Sequence, residues 1–588
     1  MGKYRIATAV AVSMAIMQVL ANAPPASTSK PAPTAQAQRP APSSPQQSTA
    51  VDPAELAKLG TIQFPTSGSP EAQTHFLRGM AALHSFWYPV ALAEFRQSTK
   101  IDPDFMMGYW GEAMAHNHPI WGDPQDTEAA RKVLEKIRIT PELTERERAY
   151  LQAVQVLYGK ADQASRDRAY AAAMEKIHRE YPNDEEARLF YALSLLGMTH
   201  HDRAIRLRAG AIASEVFRQN PNHPGAAHYV IHAYDDPKHA RQALDAARRY
   251  AALAPAVPHA QHMPAHIFLQ LGMWREAAAA NEAALKAARK QGTHPVSMSD
   301  QTYHSLHWLN YIYLQQGRYE DAKELLAQMR KALTETSPEN SLQLYYFAYL
   351  YSHMAAAFIV ESERWDLAEE SFQPLQILAE AKPPGTASAE GRAPPSPFIQ
   401  AALVSLQALP IFVRGLVAAK QASGDAEKSM AELQAIAQRH NGAQEGALGP
   451  ALKLLKIQRL ELSAVSSASK DRLNAAIEAM QKATVLADSL PPPSGPPEVI
   501  KPSYELFGEI LWRAERPKEA AAQFAAAMSR QPNRARALLG EARAIAMVGN
   551  TRSAAEAYAQ LSRQWQQADA QQPELLEAQE YMNRVSAR

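Results

Sequence analysis

The chain contains no cysteine. That excludes disulfides, thiolate zinc sites, iron–sulfur clusters, c-type haem attachment and thiol nucleophiles together. It also lacks a surplus of either charge: 61 Lys+Arg stand against 60 Asp+Glu, a formal net charge of +1. Nucleic-acid binders usually carry a basic face, so no nucleic-acid partner is expected. Glycine is scarce, 25 of 588 residues. None falls in a GxxxxGKS/T phosphate loop, a GxGxxG turn after a strand or a GxSxG elbow, so neither a nucleotide cofactor nor α/β-hydrolase chemistry is expected. HExxH is missing too, because Tyr229, Val230 and Ile231 separate His228 from His232. Beyond the first 20 or so residues no continuous apolar stretch reaches the length of a membrane span, which needs about 20 residues.

What is present is enough apolar material for a large core, 46% of the chain, over a length that allows about four domains or one long repeat array. Lys3 and Arg5 precede an apolar stretch from Ile6 to Leu20, and Ala21-Asn22-Ala23 fits the small-x-small pattern cut by signal peptidase. Residues 1–23 therefore read as a secretory signal cleaved after Ala23, and the mature chain is expected in the periplasm or outside the cell. Residues 24–52 follow as a disordered Pro/Ala-rich linker; seven prolines lie among Ala, Ser, Thr and Gln, too little apolar surface to offset the entropy of ordering.

From residue 53 the periodicity is helical, with short helices broken by Gly, Pro or Asp turns. The clearest unit is Lys501–Arg534. Tyr504, Gly508 and Leu511 share a face of its first helix, Ala520, Phe524 and Ala527 a face of its second, and Pro532 closes it. This resembles the 34-residue tetratricopeptide repeat. Similar inter-helix turns recur at Gly272–Ala277 and Gly317–Ala322, and more loosely at Arg364–Ala368 and Asp235–Ala240. Strings such as HAQHMPAHIFLQLGMW (259–274) and AAHYVIHAYDDP (226–237) also look like those of uncharacterised exported bacterial tetratricopeptide proteins, which supply no established activity. The resemblance implies an all-α fold, an α-solenoid of helix pairs. Its expected divisions are a solenoid over 53–382, a Pro-rich loop over 383–398 and a divergent helical segment over 399–490. A second Pro-rich loop (491–500) and a C-terminal repeat pair with a terminal helix (501–588) complete it.

Histidine is the unusual residue. Ten of the 19 lie between His223 and His307. His228 and His232 are four apart; His259, His262 and His266 follow at +3 and +4; His304 and His307 repeat the +3 step. The resemblance implies that the first helix of each unit lines a concave groove through five of its places. With units begun at Pro221, Pro258 and Tyr303, His232, His259, His262, His266, His304 and His307 fall at those places, although register and helix continuity through Pro264 both bear on the count.

Two functions follow. One is an exported interaction protein that binds a peptide, protein or small ligand in a His-rich groove, extended by His84, Trp110, His118, Tyr311 and His353. The other is a metalloprotein or metalloenzyme in which His228, His232, His259, His262, His266, His304 and His307 supply ligands to a divalent transition metal. Neutral imidazole is the commonest metal ligand, and without sulfur the candidates are zinc, copper or non-haem iron. Asp235 and Asp236 are candidate carboxylates, with a turn as their ordinary explanation. Glu505 and Glu509 read as ion-pair partners of Arg536 and Arg543.

Overall fold

A computed structural model describes residues 55, 58–120, 126–198, 202–291, 302–381, 383, 397–440, 448–570 and 572–587. The signal at 1–23, the linker at 24–52 and nearly all of the 383–398 loop lie outside the described residues. Among the described residues all regular secondary structure is helical.

Local chemistry starts and stops these helices. The Glu145–Leu157 helix opens on a capping box in which Thr144 and Glu147 satisfy each other's backbone N–H groups. Asp126, Asp162 and Asp202 cap three more N-termini. His223 caps Pro224–Ala233, its ring Nδ1 accepting from the N–H groups of Gly225 and Ala226.

Consecutive helices pack as antiparallel pairs, such as Pro70–His84 on Tyr88–Ile101 and Ser503–Arg513 on Pro517–Arg530. The close approach has the same chemical basis at both ends of the array. Phe95 lies between Gly79 and Gly111, and Phe524 between Gly508 and Gly540; a Cβ on any of these glycines would come within 2.8 Å of the phenyl ring. The tetratricopeptide-like pairing read from the sequence is thus the build of the chain. The segment 399–490 continues it with longer first helices, Pro397–Lys420 and Leu448–Ser469, each followed by a shorter partner.

Two expectations are corrected. Ile399–Lys420 is, by length and composition, apolar enough to cross a membrane; Gln400, Ser405 and Arg414 interrupt the run that a reading for continuous apolar stretches would need. In the structure it packs between Ser341–Ser362 and Leu448–Ser469. Nor does the array leave its inner face open. The C-terminal units dock on turns in the middle of the chain: Trp274 Nε1 donates to Asn533 O at 2.8 Å, Asn533 Nδ2 to Gly272 O at 3.2 Å and Trp565 Nε1 to Gln315 O at 3.0 Å. Gly272 and Gly317 turn with φ of +66° and +68°. The docked segments come so near that a Cβ would lie 2.6 Å from Pro532 O at Gly272 and 2.9 Å from the Trp565 ring at Gly317. A buried cation clamps the joint. Arg534 pairs with Glu505 at 2.6 Å and with Glu361, and donates to the Tyr311 hydroxyl at 2.9 Å.

Candidate metal centre

Three helical stretches deliver the histidines. Pro224–Ala233 carries His228 and His232; Thr302–Gln315 carries His304 and His307. Between them, Pro258–His262 and Pro264–Gln270 meet at Met263, whose φ of −52° and ψ of −37° are helical. Pro264 therefore removes a hydrogen bond without ending the run, and His259, His262 and His266 stay on successive turns.

The structure sorts these residues into two sets of three. In each set, one nitrogen per ring lies within 4.8 Å of the others: His228, His232 and His259 form one, His262, His266 and His304 the second. In the first, His228 Nε2 is 3.0 Å from His232 Nε2 and 3.0 Å from His259 Nε2. In the second, His262 Nε2 is 3.1 Å from His266 Nε2. The sets adjoin, with ring centroids of His232 and His266 6.2 Å apart and those of His259 and His262 6.5 Å apart.

The opposite ring nitrogens settle which atoms carry hydrogen. His228 Nδ1 donates to His84 O at 2.7 Å. His266 Nδ1 donates to Asp235 Oδ2 at 2.8 Å. His262 Nδ1 donates to Asn281 Oδ1 at 2.7 Å, and the Asn281 amide is oriented by its own Nδ2 donating to Ala277 O. Each of these three rings, when neutral, therefore presents a bare lone pair at Nε2. Burial pushes His228 and His262 down to about 3. With both rings neutral, the His262 and His266 lone pairs face each other at 3.1 Å, a repulsive contact that a cation between them would relieve. His228 offers one lone pair to two nitrogens at 3.0 Å, and one lone pair serves at most one good donor. Both ring nitrogens of His304 are buried with no hydrogen-bond partner. Burial and the neighbouring imidazoles hold its pKa well below the ordinary histidine range.

A third group has similar composition and a different logic. His84 Nε2 and His223 Nε2 donate to the two oxygens of Glu186 at 2.7 and 2.9 Å. His84 Nδ1 accepts from the Tyr229 hydroxyl at 2.8 Å, and His223 Nδ1 from the backbone N–H of Gly225 at 3.1 Å. Every ring nitrogen here has a complementary partner. Burial works against the Glu186 carboxylate, but the two rings outweigh it and hold its pKa well below the usual range. This group is a hydrogen-bonded support: His84 lends its carbonyl to His228.

Aromatic rings wall the two sets. Phe86, at a φ of +54° that is rare for a bulky residue, lies 4.4 Å from the His228 ring and 5.6 Å from His259. Trp308 lies 4.3 Å from His266 and 4.9 Å from His262.

Several sequence assignments change. The histidines do not line an open groove; His228, His262, His266 and His304 are at most 2% exposed. His307 joins neither set, although it shares the Thr302–Gln315 helix with His304; its ring lies 6.1 Å from His353, and burial pushes it down to about 4. Of the residues expected to extend the groove, Trp110 is core, edge-on to Tyr150 and Phe190. Tyr311 serves Arg534. His84 belongs to the Glu186 group, and His353 lies 3.1 Å from Ser405 Oγ. His118 lies 4.1 Å from the Tyr88 ring and lines a separate small cavity with Asn117 and Tyr170. Glu505 and Glu509 pair with Lys501, and Glu505 with Arg534, while Arg536 and Arg543 turn to Glu574 and Glu577. Sequence reasoning missed Glu186, Gln270 and Asn281. Asn281 had a readable signal: it is a polar residue on the inward face of the alanine-rich Trp274–Lys290 helix.

No family model matches the chain, and no curated protein matches its sequence. Solved structures resemble it only distantly. A human IFIT1 dimer with PPP-AAAA is 13% identical with a TM-score of 0.33, covering 87% of this chain and 93% of that one. Yeast Tom70 is 13% identical at 0.30, covering 88% and 89%. The APC/C hetero-tetramer Cut9–Hcn1 is 12% identical at 0.32, covering 81% and 76%. At this distance none of them bears on function, and the fold stands on the helix pairing itself.

Proposed function

We propose that the protein is a metalloprotein holding two transition-metal ions in adjacent three-histidine sites, one on His228, His232 and His259, the other on His262, His266 and His304. The observation that carries this is the set of Nε2–Nε2 separations of 3.0–3.1 Å, with the other nitrogens of His228, His262 and His266 already donating elsewhere. Two nitrogens bound to one ion at 2.0–2.1 Å would stand about 3.0–3.4 Å apart for angles between roughly 95° and tetrahedral. Three neutral imidazoles leave a fourth position for water or a small ligand, the arrangement of an open catalytic site. Among divalent ions such nitrogen sets bind copper most tightly and accept zinc readily. Asp235 and the His84 carbonyl would act as outer partners that orient ring and tautomer.

The array is a scaffold of a kind that binds protein partners; the imidazoles it buries are what set this chain apart. Export on the residue 1–23 signal would place it in the periplasm or outside the cell, where copper and zinc are exchanged. The test is metal analysis of untagged protein, followed by dialysis against buffered Zn²⁺ and Cu²⁺. About two ions per chain are expected, falling to about one in His262→Ala/His266→Ala with helical content unchanged. Binding of no ion by well-folded protein would overturn the proposal.

A further inference from the structure

The second Pro-rich loop has a destination that its sequence did not reveal. Residues 491–497 lie across the inner face beside the second histidine set. Gly495 approaches so near that a Cβ there would be 2.6 Å from the Trp308 ring. The loop is pinned along its length. Arg530 donates to the carbonyls of Leu490 and Pro491 at 3.0 and 3.2 Å. The Tyr349 hydroxyl donates to Glu498 Oε1 at 2.8 Å. Gln270 Nε2 donates both to Pro493 O at 2.9 Å and to Asp235 Oδ1 at 3.1 Å. Because Asp235 holds His266, one chain of hydrogen bonds joins the loop to the histidine set.

Beneath the loop is a cavity of about 110 Å³, walled by His304, His307, Trp308, Tyr349, Leu454 and Gln531 among others. That is the order of size of the apolar cavity, about 150 Å³, known to hold a benzene ring. Its lining is mostly proline, aliphatic and aromatic surface. Among its few polar atoms, Gln531 Nε2, Ser494 Oγ and His307 Nδ1 are buried with no hydrogen-bond partner. Buried donors left unpaired are costly and rare, so they point to something that pairs them. Glu498 is also in the wall, and burial pushes it up to about 7 against the hydrogen bond from Tyr349. An anion would find little compensation there, because Arg530 already faces the Asp488 carboxylate at 3.7 Å and spends its other terminal nitrogen on three carbonyls.

We propose that this cavity is the chamber in which the metal centre meets its substrate, a small neutral ring-sized organic molecule bearing a hydroxyl or carbonyl group. The proposal rests on the metalloprotein reading. Gln531 supplies the amide that binds the oxygen of the guest, Trp308 and Tyr349 pack on its ring, and His304 brings the ion to the chamber wall.

Phenol, with benzene as the comparison, is the probe. Metal content is measured first, so failure of the metal reading is seen separately from failure of the chamber. Calorimetry should then find one phenol per chain, in metal-free as well as loaded protein. In Co²⁺-loaded protein phenol should shift the visible ligand-field bands. Ser494→Phe, which fills the chamber from the loop, should weaken phenol at least tenfold with metal content and circular dichroism unchanged. Gln531→Leu should weaken phenol several-fold and leave benzene unaffected. Absence of phenol binding by metal-loaded wild type would overturn the chamber alone. So would binding that ignores both variants, or binding that leaves the Co²⁺ spectrum unmoved.

Discussion

A histidine's neighbours on one side of its ring decide what the other side can do. His223 and His228 are both buried in the same helical turn and a half, yet His223 accepts at Nδ1 and donates at Nε2, while His228 donates at Nδ1 and has a bare Nε2. Sequence spacing is blind to that difference. It picked out His232, His259, His262, His266 and His304 because groove places in a repeat are periodic. It failed at His307, which has the right periodicity but lies beside His353 and joins neither set. Glu186 was beyond reach, since nothing in the run Glu185-Glu186-Ala187 tells a buried carboxylate from a solvated one. The same logic gives a test at Asp235. Asp235→Asn keeps an acceptor for His266 but removes the charge, and loss of such an outer partner typically costs 10–100-fold in metal affinity. Competition with a chelator of known affinity should find that loss, with helical content intact. A second test concerns Glu461, fully buried, with Ser503 Oγ on one oxygen at 2.6 Å and no partner on the other. Burial raises its pKa to about 8, so the folded chain keeps a proton that the unfolded chain releases above about 4.3. Stability from this group is full below that pH and is lost as pH rises toward 8. Glu461→Gln should therefore raise the melting temperature more at pH 8 than at pH 5; an equal change at both would show that the carboxyl titrates normally.

Helices and turns were the most legible level. The turns at Gly272 and Gly317 stand where the repeat places them, and Gly79, Phe95 and Gly111 reproduce the packing of Gly508, Phe524 and Gly540. Less legible was the stretch 399–490, where long first helices hide the 34-residue spacing behind an ordinary pairing. The joint between elements far apart in sequence was not legible at all. Arg534 sits in a string that reads as the start of a repeat, and its partners Glu361 and Tyr311 are well over 150 residues away. Removing one member of a buried charge network leaves the others uncompensated, at a cost of about 3–5 kcal/mol. Arg534→Met should lower stability by that order in denaturant unfolding. Arg513→Met, on the same C-terminal pair but exposed, should change it by less than about 0.5 kcal/mol. Similar losses for the two would dismiss the clamp.

At the scale of the whole molecule, the repeats specify neighbour-to-neighbour packing and leave the closure of the array to contacts between distant units. Closure is what turned an expected open groove into an interior. It also makes the centre a tie between segments, since the second set joins Pro258–Gln270 to Thr302–Gln315 and the first joins Pro224–Ala233 to Pro258–His262. A ligand bound only by the folded chain stabilises it by about 2.7 kcal/mol at a hundredfold excess over its Kd. The melting temperature should thus rise with free Zn²⁺ or Cu²⁺ and fall on chelation, and His262→Ala/His266→Ala should lose much of that response.

The Pro491–Pro497 loop carries one more consequence, in time. Every imidazole of the two sets precedes residue 305, and the loop begins almost two hundred residues later. A chain made or threaded from its N-terminus has therefore completed both sets before the loop exists. For that interval the His262, His266 and His304 set lacks its covering. An ion arriving then has no loop to pass, and the late docking of the C-terminal units shuts it in.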